Sequence, residues 1–165
     1  MLSPNAQLEK IADGFDFTEG PIWHPIESAL IFSDIMGNSL YRWNADEGLT
    51  KIRRNSYLAN GNAFDHQGRV VTCEHGTSRL TRSILFGPDA VDSLTNEGLE
   101  VLATHYTAPD HSRIQLNSPN DVIVTRDGAI FFTDPGSGRS PVHGIPRERE
   151  MGYCGVYRLA VSYTH

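Results

Sequence analysis

Short apolar runs of about four to six residues recur along the chain, rich in Val, Ile, Phe and Tyr and bounded by Gly, Asp, Asn and Pro. Runs of this length between turn-forming residues are typical of β-strands joined by tight turns. Helical periodicity is nearly absent, and the best helix candidate, residues 91–102, is interrupted by Asn96 and Gly98. The pattern therefore predicts an all-β protein.

Three of these runs share one repeated pattern, in which a polar residue lies fourteen or fifteen residues before an acidic strand end. The pairs are Glu19 with Asp34, Asn60 with Glu74, and Asn120 with Asp134. Each repeat contains two or three predicted strands, with tight turns at residues 65–68 and 126–128. Repeats of about 40–50 residues are typical of β-propeller blades, so 165 residues correspond to three to four blades.

Equivalent positions of successive blades face one central axis, which predicts that Glu19, Asn60 and Asn120 converge at the mouth of a channel. One carboxylate and two amide oxygens suit a hard cation such as Ca²⁺. Local alternatives exist for each residue: Glu19 as an exposed strand residue, Asn120 as a turn residue, and Asn60 within an Asn-Gly hairpin turn. His75 is a candidate for the channel wall, with a surface position as the alternative.

The acidic strand ends, Asp34, Glu74 and Asp134, are predicted to lie away from this axis and to accept hydrogen bonds from turn backbones. Cys73 lies within an apolar run and is predicted to be a buried thiol. Two cysteines do not form a disulfide framework. The sequence contains no Gly-x-Ser-x-Gly elbow, no zinc-binding histidine spacing and no phosphate-binding glycine loop.

The charge of the chain narrows the choice of partners. A net charge of −6 and a pI of about 5.6 do not match the basic surface of a nucleic-acid-binding protein. No apolar stretch approaches membrane-spanning length, and the first ten residues lack the apolar core of a signal peptide. We therefore expect a cytoplasmic protein that binds neither nucleic acid nor membrane.

Motifs distributed over residues 8–160 carry a resemblance to a known family. They are FTEGPIW (17–23), FSDI (32–35), LYRW (40–43), ANG (59–61), GRVVTCEH (68–75), LNSPNDV (116–122), FTDP (132–135) and GVYRL (155–159). The chain resembles the senescence-marker-protein, gluconolactonase and luciferin-regenerating-enzyme-like family, and most of all its bacterial-type gluconolactonases.

This resemblance implies a six-bladed β-propeller, of which residues 1–160 would form roughly the N-terminal half. It also implies one divalent cation at the channel mouth, usually Ca²⁺, with Mg²⁺, Mn²⁺ or Zn²⁺ as alternatives. The implied reaction is hydrolysis of a sugar lactone to the aldonic acid. A related metal-dependent esterase or phosphotriesterase, and a propeller that binds ligands without catalysis, are the alternative functions.

The resemblance also assigns individual residues. Glu19 matches a metal ligand of the family, and Asn120, our second proposed ligand, matches an Asn that contacts the metal or the substrate in different members. Asn60, His75 and Asn117 are candidates for substrate binding. The remaining metal ligands and the general-base Asp come from later blades of the family and are absent from this sequence. The catalytic residue is therefore unassigned, and we expect the chain alone to be inactive or nearly so. Residues 136–138, Gly-Ser-Gly, depart from the Pro and aromatic residue of close relatives.

The last five residues, 161–165, continue neither a strand nor a turn pattern. Codons for Val-Ser-Tyr-Thr-His also spell part of a common sequencing-library adapter. We therefore expect a non-native tail after residue 160, with a genuine polar C-terminus as the alternative.

Overall fold

A computed structural model describes residues 5–160 of the chain. These residues form β-strands and one short 3₁₀-helix, Ser137–Arg139, and contain no α-helix. No helix among them is long and apolar enough to cross a membrane. The predicted tail at residues 161–165 lies outside the described residues and stays a prediction.

Three antiparallel sheets and one hairpin follow each other along the chain. The first sheet comprises β1 (Thr18–His24), β2 (Ala29–Asp34), β3 (Ser39–Asn44) and β4 (Gly48–Arg53). The second comprises β5 (Ala59–Phe64), β6 (Val70–Glu74), β7 (Arg79–Ser83) and β8 (Glu100–Ala103). The hairpin is β9 (His105–Thr107) with β10 (Arg113–Gln115), and the third sheet comprises β11 (Val122–Val124), β12 (Ile130–Asp134) and β13 (Gly155–Leu159).

The all-β prediction is confirmed, and the predicted inner strands coincide with β1–β3, β5–β7 and β11–β13. The helix candidate at 91–102 is wrong, because its first part is irregular and Glu100–Ala103 is strand β8. The outer strands β4 and β8 were not predicted from the sequence. Half of the residues of each strand are exposed, and the one buried residue of the two strands, Arg53, is charged. They therefore lack the apolar signal that reveals a strand buried on one face.

The predicted turn at residues 65–68 shows how local sequence ends a strand. Asp65 accepts hydrogen bonds from the backbone N–H groups of Gln67 and Arg69, each at 2.9 Å. Gly68 has a φ of 75°, which a residue without Cβ adopts at little cost. These interactions reverse the chain between β5 and β6 and fix their register.

The second sheet lies between the other two and is buried on both faces. Consecutive residues of β6 point in opposite directions: Val70 packs in the apolar cluster shared with the first sheet, and Val71 packs in the cluster shared with the third. Cys73 is fully buried in the latter cluster, as predicted, and its burial raises the pKa of the thiol well above the usual value. This double burial holds the three sheets side by side.

Candidate functional site

Two of the three repeated polar residues lie at β-bulges, which the sequence pattern did not predict. The register of β1 shifts between Glu19 and Ile22, and that of β5 shifts between Ala59 and Asn62. A bulge locally bends a strand and changes the direction of its side chains. The repeated sequence pattern therefore corresponds to a repeated irregularity of the first strand in each of the first two sheets.

Glycines bring the first strands of neighbouring sheets into close contact. A Cβ on Gly61 would lie 2.6 Å from the carbonyl oxygen of Asn120, and the Gly61 N–H donates to that oxygen at 2.7 Å. Gly20, with a φ of 59°, leaves similarly little room beside the carbonyl of Asn60. The residue after Glu19 and after Asn60 is thus small because the next strand approaches its backbone.

The structure brings three of the predicted site residues together. Asn60 Nδ2 lies 3.1 Å from Nε2 of His75, and Asn120 Nδ2 lies 3.5 Å from the same ring nitrogen. Asn60 lies inside strand β5 and is buried, so the hairpin-turn alternative is wrong. Asn120 pairs its backbone N–H with the carbonyl of Thr133, in an extended segment rather than a turn.

His75 is buried, which excludes the surface alternative. Burial lowers its pKa; a hydrogen bond with the carbonyl of His143 opposes this shift, and the positive charge of Arg147 adds to it. The resulting neutral ring donates one proton and accepts one. Nδ1 faces the carbonyl of His143 at 3.4 Å and is therefore the donor, which leaves Nε2 to accept from the amide nitrogens of Asn60 and Asn120.

A buried polar network, which the sequence pattern did not predict, fixes the backbone of Asn60. Ser33 Oγ donates to the Asn60 carbonyl at 2.6 Å, and Asn62 Nδ2 donates to the same carbonyl at 3.0 Å. Asn62 also donates to the carbonyl of Gly20 at 3.0 Å and accepts from Thr72 Oγ1 at 3.0 Å. The sequence feature that could have indicated this network is the presence of polar residues inside strands that are otherwise apolar.

Two amide oxygens of this cluster are free, and so is the carboxylate of Glu19 on β1. Neither Asn60 Oδ1 nor Asn120 Oδ1 accepts a hydrogen bond from a described residue, and neither is a fully enclosed atom without a partner. Glu19 is exposed, and its carboxylate forms no ion pair among residues 5–160. The amide oxygens of Asn60 and Asn120 therefore remain free to bind a ligand together, and the carboxylate of Glu19 is free in β1 of the neighbouring sheet.

Asn117 occupies a different environment from the other candidates. Its side chain is fully buried, with Nδ2 donating to the carbonyls of Asp134 (3.2 Å) and Tyr153 (2.9 Å), and Oδ1 accepting from Arg149 (3.1 Å). Protein groups thus engage both ends of the amide. The substrate contact predicted for Asn117 stays a prediction.

The acidic strand ends mostly bind turn backbones, as predicted. Asp34 accepts from the N–H groups of Phe17 (2.9 Å) and Gly37 (3.2 Å), and Asp134 accepts from that of Ser118 (2.7 Å). Burial raises the pKa of Asp134, although such backbone hydrogen bonds oppose the shift. Glu74 differs, because it binds arginine and threonine side chains.

The described residues offer the type of oxygen ligand that a hard cation prefers, but too few of them to complete its coordination. Carboxylate and amide oxygens are the ligands that Ca²⁺ prefers, and Ca²⁺ takes about six to eight of them. Glu19, Asn60 and Asn120 supply at most a part of that set. Residues 5–160 contain no cluster of three or more His, Cys, Asp or Glu side chains that could hold a metal.

Comparison with known proteins identifies the family. Residues 17–164 match the SMP-30/Gluconolactonase/LRE-like region. A gluconolactonase of Zymomonas mobilis subsp. mobilis is 27% identical over 173 residues, covering 97% of this chain and 44% of that protein. The structure of a gluconolactonase from Xanthomonas campestris superposes with a TM-score of 0.76 at 36% identity, over 91% of this chain and 46% of the other.

A second solved structure, provisionally assigned as a gluconolactonase, superposes with a TM-score of 0.77 at 33% identity, over 96% of this chain and 50% of the other. The chain thus spans about half the length of the relatives it matches, and its successive sheets form a partial β-propeller. Because the family match extends over most of the sequence, this protein belongs to the SMP-30/gluconolactonase/LRE-like family.

Proposed function

We propose that this chain forms part of a metal-dependent enzyme that hydrolyses a sugar lactone to the aldonic acid. One observation carries the proposal: Asn60, His75 and Asn120 meet between the second and third sheets, with the amide oxygens of Asn60 and Asn120 free, in a chain whose relatives are gluconolactonases. Free amide oxygens suit a polyhydroxylated, uncharged substrate, since they accept hydrogen bonds from hydroxyl groups without adding charge.

Glu19 and Asn120 are the residues that we propose would hold the cation. Oxygen donors favour Ca²⁺ or Mg²⁺ over Zn²⁺, and Ca²⁺ is our first choice. A bound cation would polarise the lactone carbonyl and stabilise negative charge on its oxygen. The proposed ligands come from sheets one and three, so the packing of β5 between β1 and β11 sets their separation.

Asn60 is proposed to bind the lactone, and His75, whose two ring nitrogens both face protein groups, is proposed to orient Asn60. Asn60 cannot rotate freely, because its Nδ2 is held by His75 and its carbonyl by Ser33 and Asn62. Its free Oδ1 is therefore a fixed acceptor for a substrate hydroxyl. Pre-oriented groups of this kind reduce the entropy lost on binding. The proton acceptor for the attacking water is not assigned to any residue between 5 and 160.

Cation binding is the first testable consequence. Mn²⁺ is expected to broaden the side-chain amide NMR signals of Asn60 and Asn120, and Ca²⁺ is expected to reverse the broadening by competition. Glu19→Gln removes one charged ligand and is expected to weaken Mn²⁺ binding by about tenfold or more. Glu9→Gln is the matched control, because Glu9 is an exposed carboxylate outside every strand. Equal binding by both variants would contradict the proposed role of Glu19.

Hydrolysis is tested by measuring the release of acid from gluconolactone and subtracting the spontaneous rate. The measurement is repeated with EDTA, and again after Ca²⁺ is added back. A rate that EDTA removes and Ca²⁺ restores supports the enzyme; we expect a low rate, because the described residues supply only part of a Ca²⁺ ligand set. Faster turnover of an aryl ester or phosphotriester would favour the esterase alternative. Binding of lactone without turnover would favour the ligand-binding propeller.

A further inference from the structure

The loop between β12 and β13, residues 135–154, lies against the candidate site. Gly138 is so close to the His75 ring that a Cβ there would lie 2.5 Å from His75 Cγ. The carbonyl of His143 faces Nδ1 of that ring at 3.4 Å, and the His143 ring lies 5.4 Å from the ring of Phe17. A loop of the third sheet therefore contacts both the second sheet and the segment that enters the first.

The hydroxyl of Ser78 joins this loop to two parts of the site. Ser78 Oγ donates to the carbonyl of Asn117 and accepts from Arg147 Nη2 (2.5 Å) and Arg139 Nη2 (3.2 Å). One donated and two accepted hydrogen bonds are the full capacity of a hydroxyl group. Ser78 is fully buried, with a φ of 52° that non-glycine residues rarely adopt. The hydrogen bonds of its side chain help to hold Ser78 in this backbone conformation.

The two arginines bind main-chain carbonyls beside the site residues. Arg147 Nη2 donates to the carbonyl of His75 at 2.6 Å. Arg139 donates to the carbonyls of Leu116 and Asn117, each at 2.6 Å. Within the described residues, neither guanidinium has a carboxylate within 4.0 Å. The planar guanidinium can reach several carbonyls at fixed angles, which a lysine ammonium cannot reproduce.

We propose that Arg147, acting with Ser78 and Arg139, is a positioning residue that fixes His75 and the 135–154 loop as one wall of the lactone site. The inference rests on the proposed function, because the positioned imidazole orients Asn60, which is assigned to the substrate. Arg147 itself contacts the backbone of His75, so its effect on the reaction passes through the placement of the imidazole. The loop is thereby part of the site rather than an appended insertion.

The test compares Arg147→Met and Arg147→Lys with the control Arg126→Met. Arg126 is exposed and forms no hydrogen bond or ion pair with a described residue. Histidine-ring NMR is the first readout: Arg147→Met is expected to shift the His75 signals, while those of His105, exposed in β9, stay unchanged. Arg126→Met is expected to move neither. His75 is assigned by its loss in His75→Gln.

Kinetics with the lactone give the second readout. Arg147→Met is expected to raise KM by about tenfold with a smaller change in kcat, because it disturbs the group that orients Asn60. Arg147→Lys is expected to recover only part of the loss. If Arg147→Met does not fold, Ser78→Ala replaces it, because this variant removes the shared hydroxyl without changing the charge. Its unfolding in urea is compared with that of the unsubstituted chain.

The outcomes separate this inference from the proposed function. Unshifted His75 signals in folded Arg147→Met and Ser78→Ala would overturn the positioning role, whatever the activity. Shifted His75 signals in a chain with no lactone hydrolysis would support positioning and count against the lactonase. A shift in the His75 signals together with an unchanged KM would also overturn the proposal, because the wall would then not affect substrate binding.

Discussion

Replacing Glu74 with alanine is expected to lower the free energy of unfolding by about 3–5 kcal/mol, because it leaves a buried charge without its partner. Glu74 and Arg53 are both fully buried, and Arg53 Nη2 donates to Glu74 Oε1 at 2.9 Å. Glu74 also accepts from Arg79 at 2.5 Å and Thr81 at 3.1 Å. The carboxylate therefore joins the end of β4 to β6 and β7. Equilibrium unfolding in urea, followed by circular dichroism, measures the change.

Glu100→Ala is the matched control, because Glu100 also pairs with an arginine but is about half exposed. Arg82 Nη2 lies 2.8 Å from Glu100, whose side chain is 53% exposed. Exposed pairs contribute about 0–1 kcal/mol, so this variant is expected to unfold near the original midpoint. Similar losses for Glu74→Ala and Glu100→Ala would contradict the special role of burial.

The double variant Arg53→Met/Glu74→Leu tests the cause of the loss. Replacing both charges with apolar groups removes the uncompensated guanidinium, so it is expected to cost less than Glu74→Ala alone. Arg53 already has one buried nitrogen, Nη1, without a hydrogen-bond partner among the described residues. A double variant that is less stable than Glu74→Ala would show that the packing of these side chains, rather than their charge, dominates.

Gly61→Ala is expected to destabilise the protein by about 1–3 kcal/mol and to move Asn60 away from Asn120. The added Cβ would lie 2.6 Å from the carbonyl oxygen of Asn120 and 2.6 Å from Cα of Asp121. Both are backbone atoms, so rotation of a side chain cannot relieve the clash. The strands β5 and β11 must separate, which weakens the bond from Gly61 N–H to the Asn120 carbonyl.

Two measurements test the effect of Gly61→Ala. Urea unfolding measures stability, and Mn²⁺ broadening of the Asn60 and Asn120 amide signals reports on the geometry of the site. Gly152→Ala is the control, because Gly152 is exposed and a Cβ added there would meet no described atom within 4 Å. An alanine at such a position is expected to change stability by less than about 1 kcal/mol. Unaltered stability and Mn²⁺ broadening in Gly61→Ala would contradict the close approach of the two strands.

The repeated polar positions show how far a sequence pattern reaches. Alternation and turn residues depend on neighbours within a few positions, so they located the inner strands and the turn at Asp65. The repeat then placed Glu19, Asn60 and Asn120 at equivalent points of successive sheets. It did not show the β-bulges at Glu19 and Asn60, since a bulge changes pairing with the partner strand without a distinct residue pattern.

The outer strands were not predicted because they lack a clear local pattern. Half of the residues of β4 and of β8 are exposed, and only one residue of the two strands is buried, so no alternation of buried apolar and exposed polar positions marks them. Residues 91–99 satisfy part of their backbone through irregular contacts, such as Asp92 N–H to the carbonyl of Glu97. A propensity-based pattern cannot distinguish such a segment from a weak helix, and the helix prediction at 91–102 was wrong for that reason.

The sequence by itself determined the all-β class, the repeat and the family motifs, because strand patterns and turn chemistry are local. Only the tertiary structure decided which distant groups meet. The contact of Asn60 and Asn120 with His75, the burial of Arg53 with Glu74, and the convergence of Arg139 and Arg147 on Ser78 each join residues from separate sheets or loops. Such contacts depend on how the sheets pack, and packing depends on the whole chain at once.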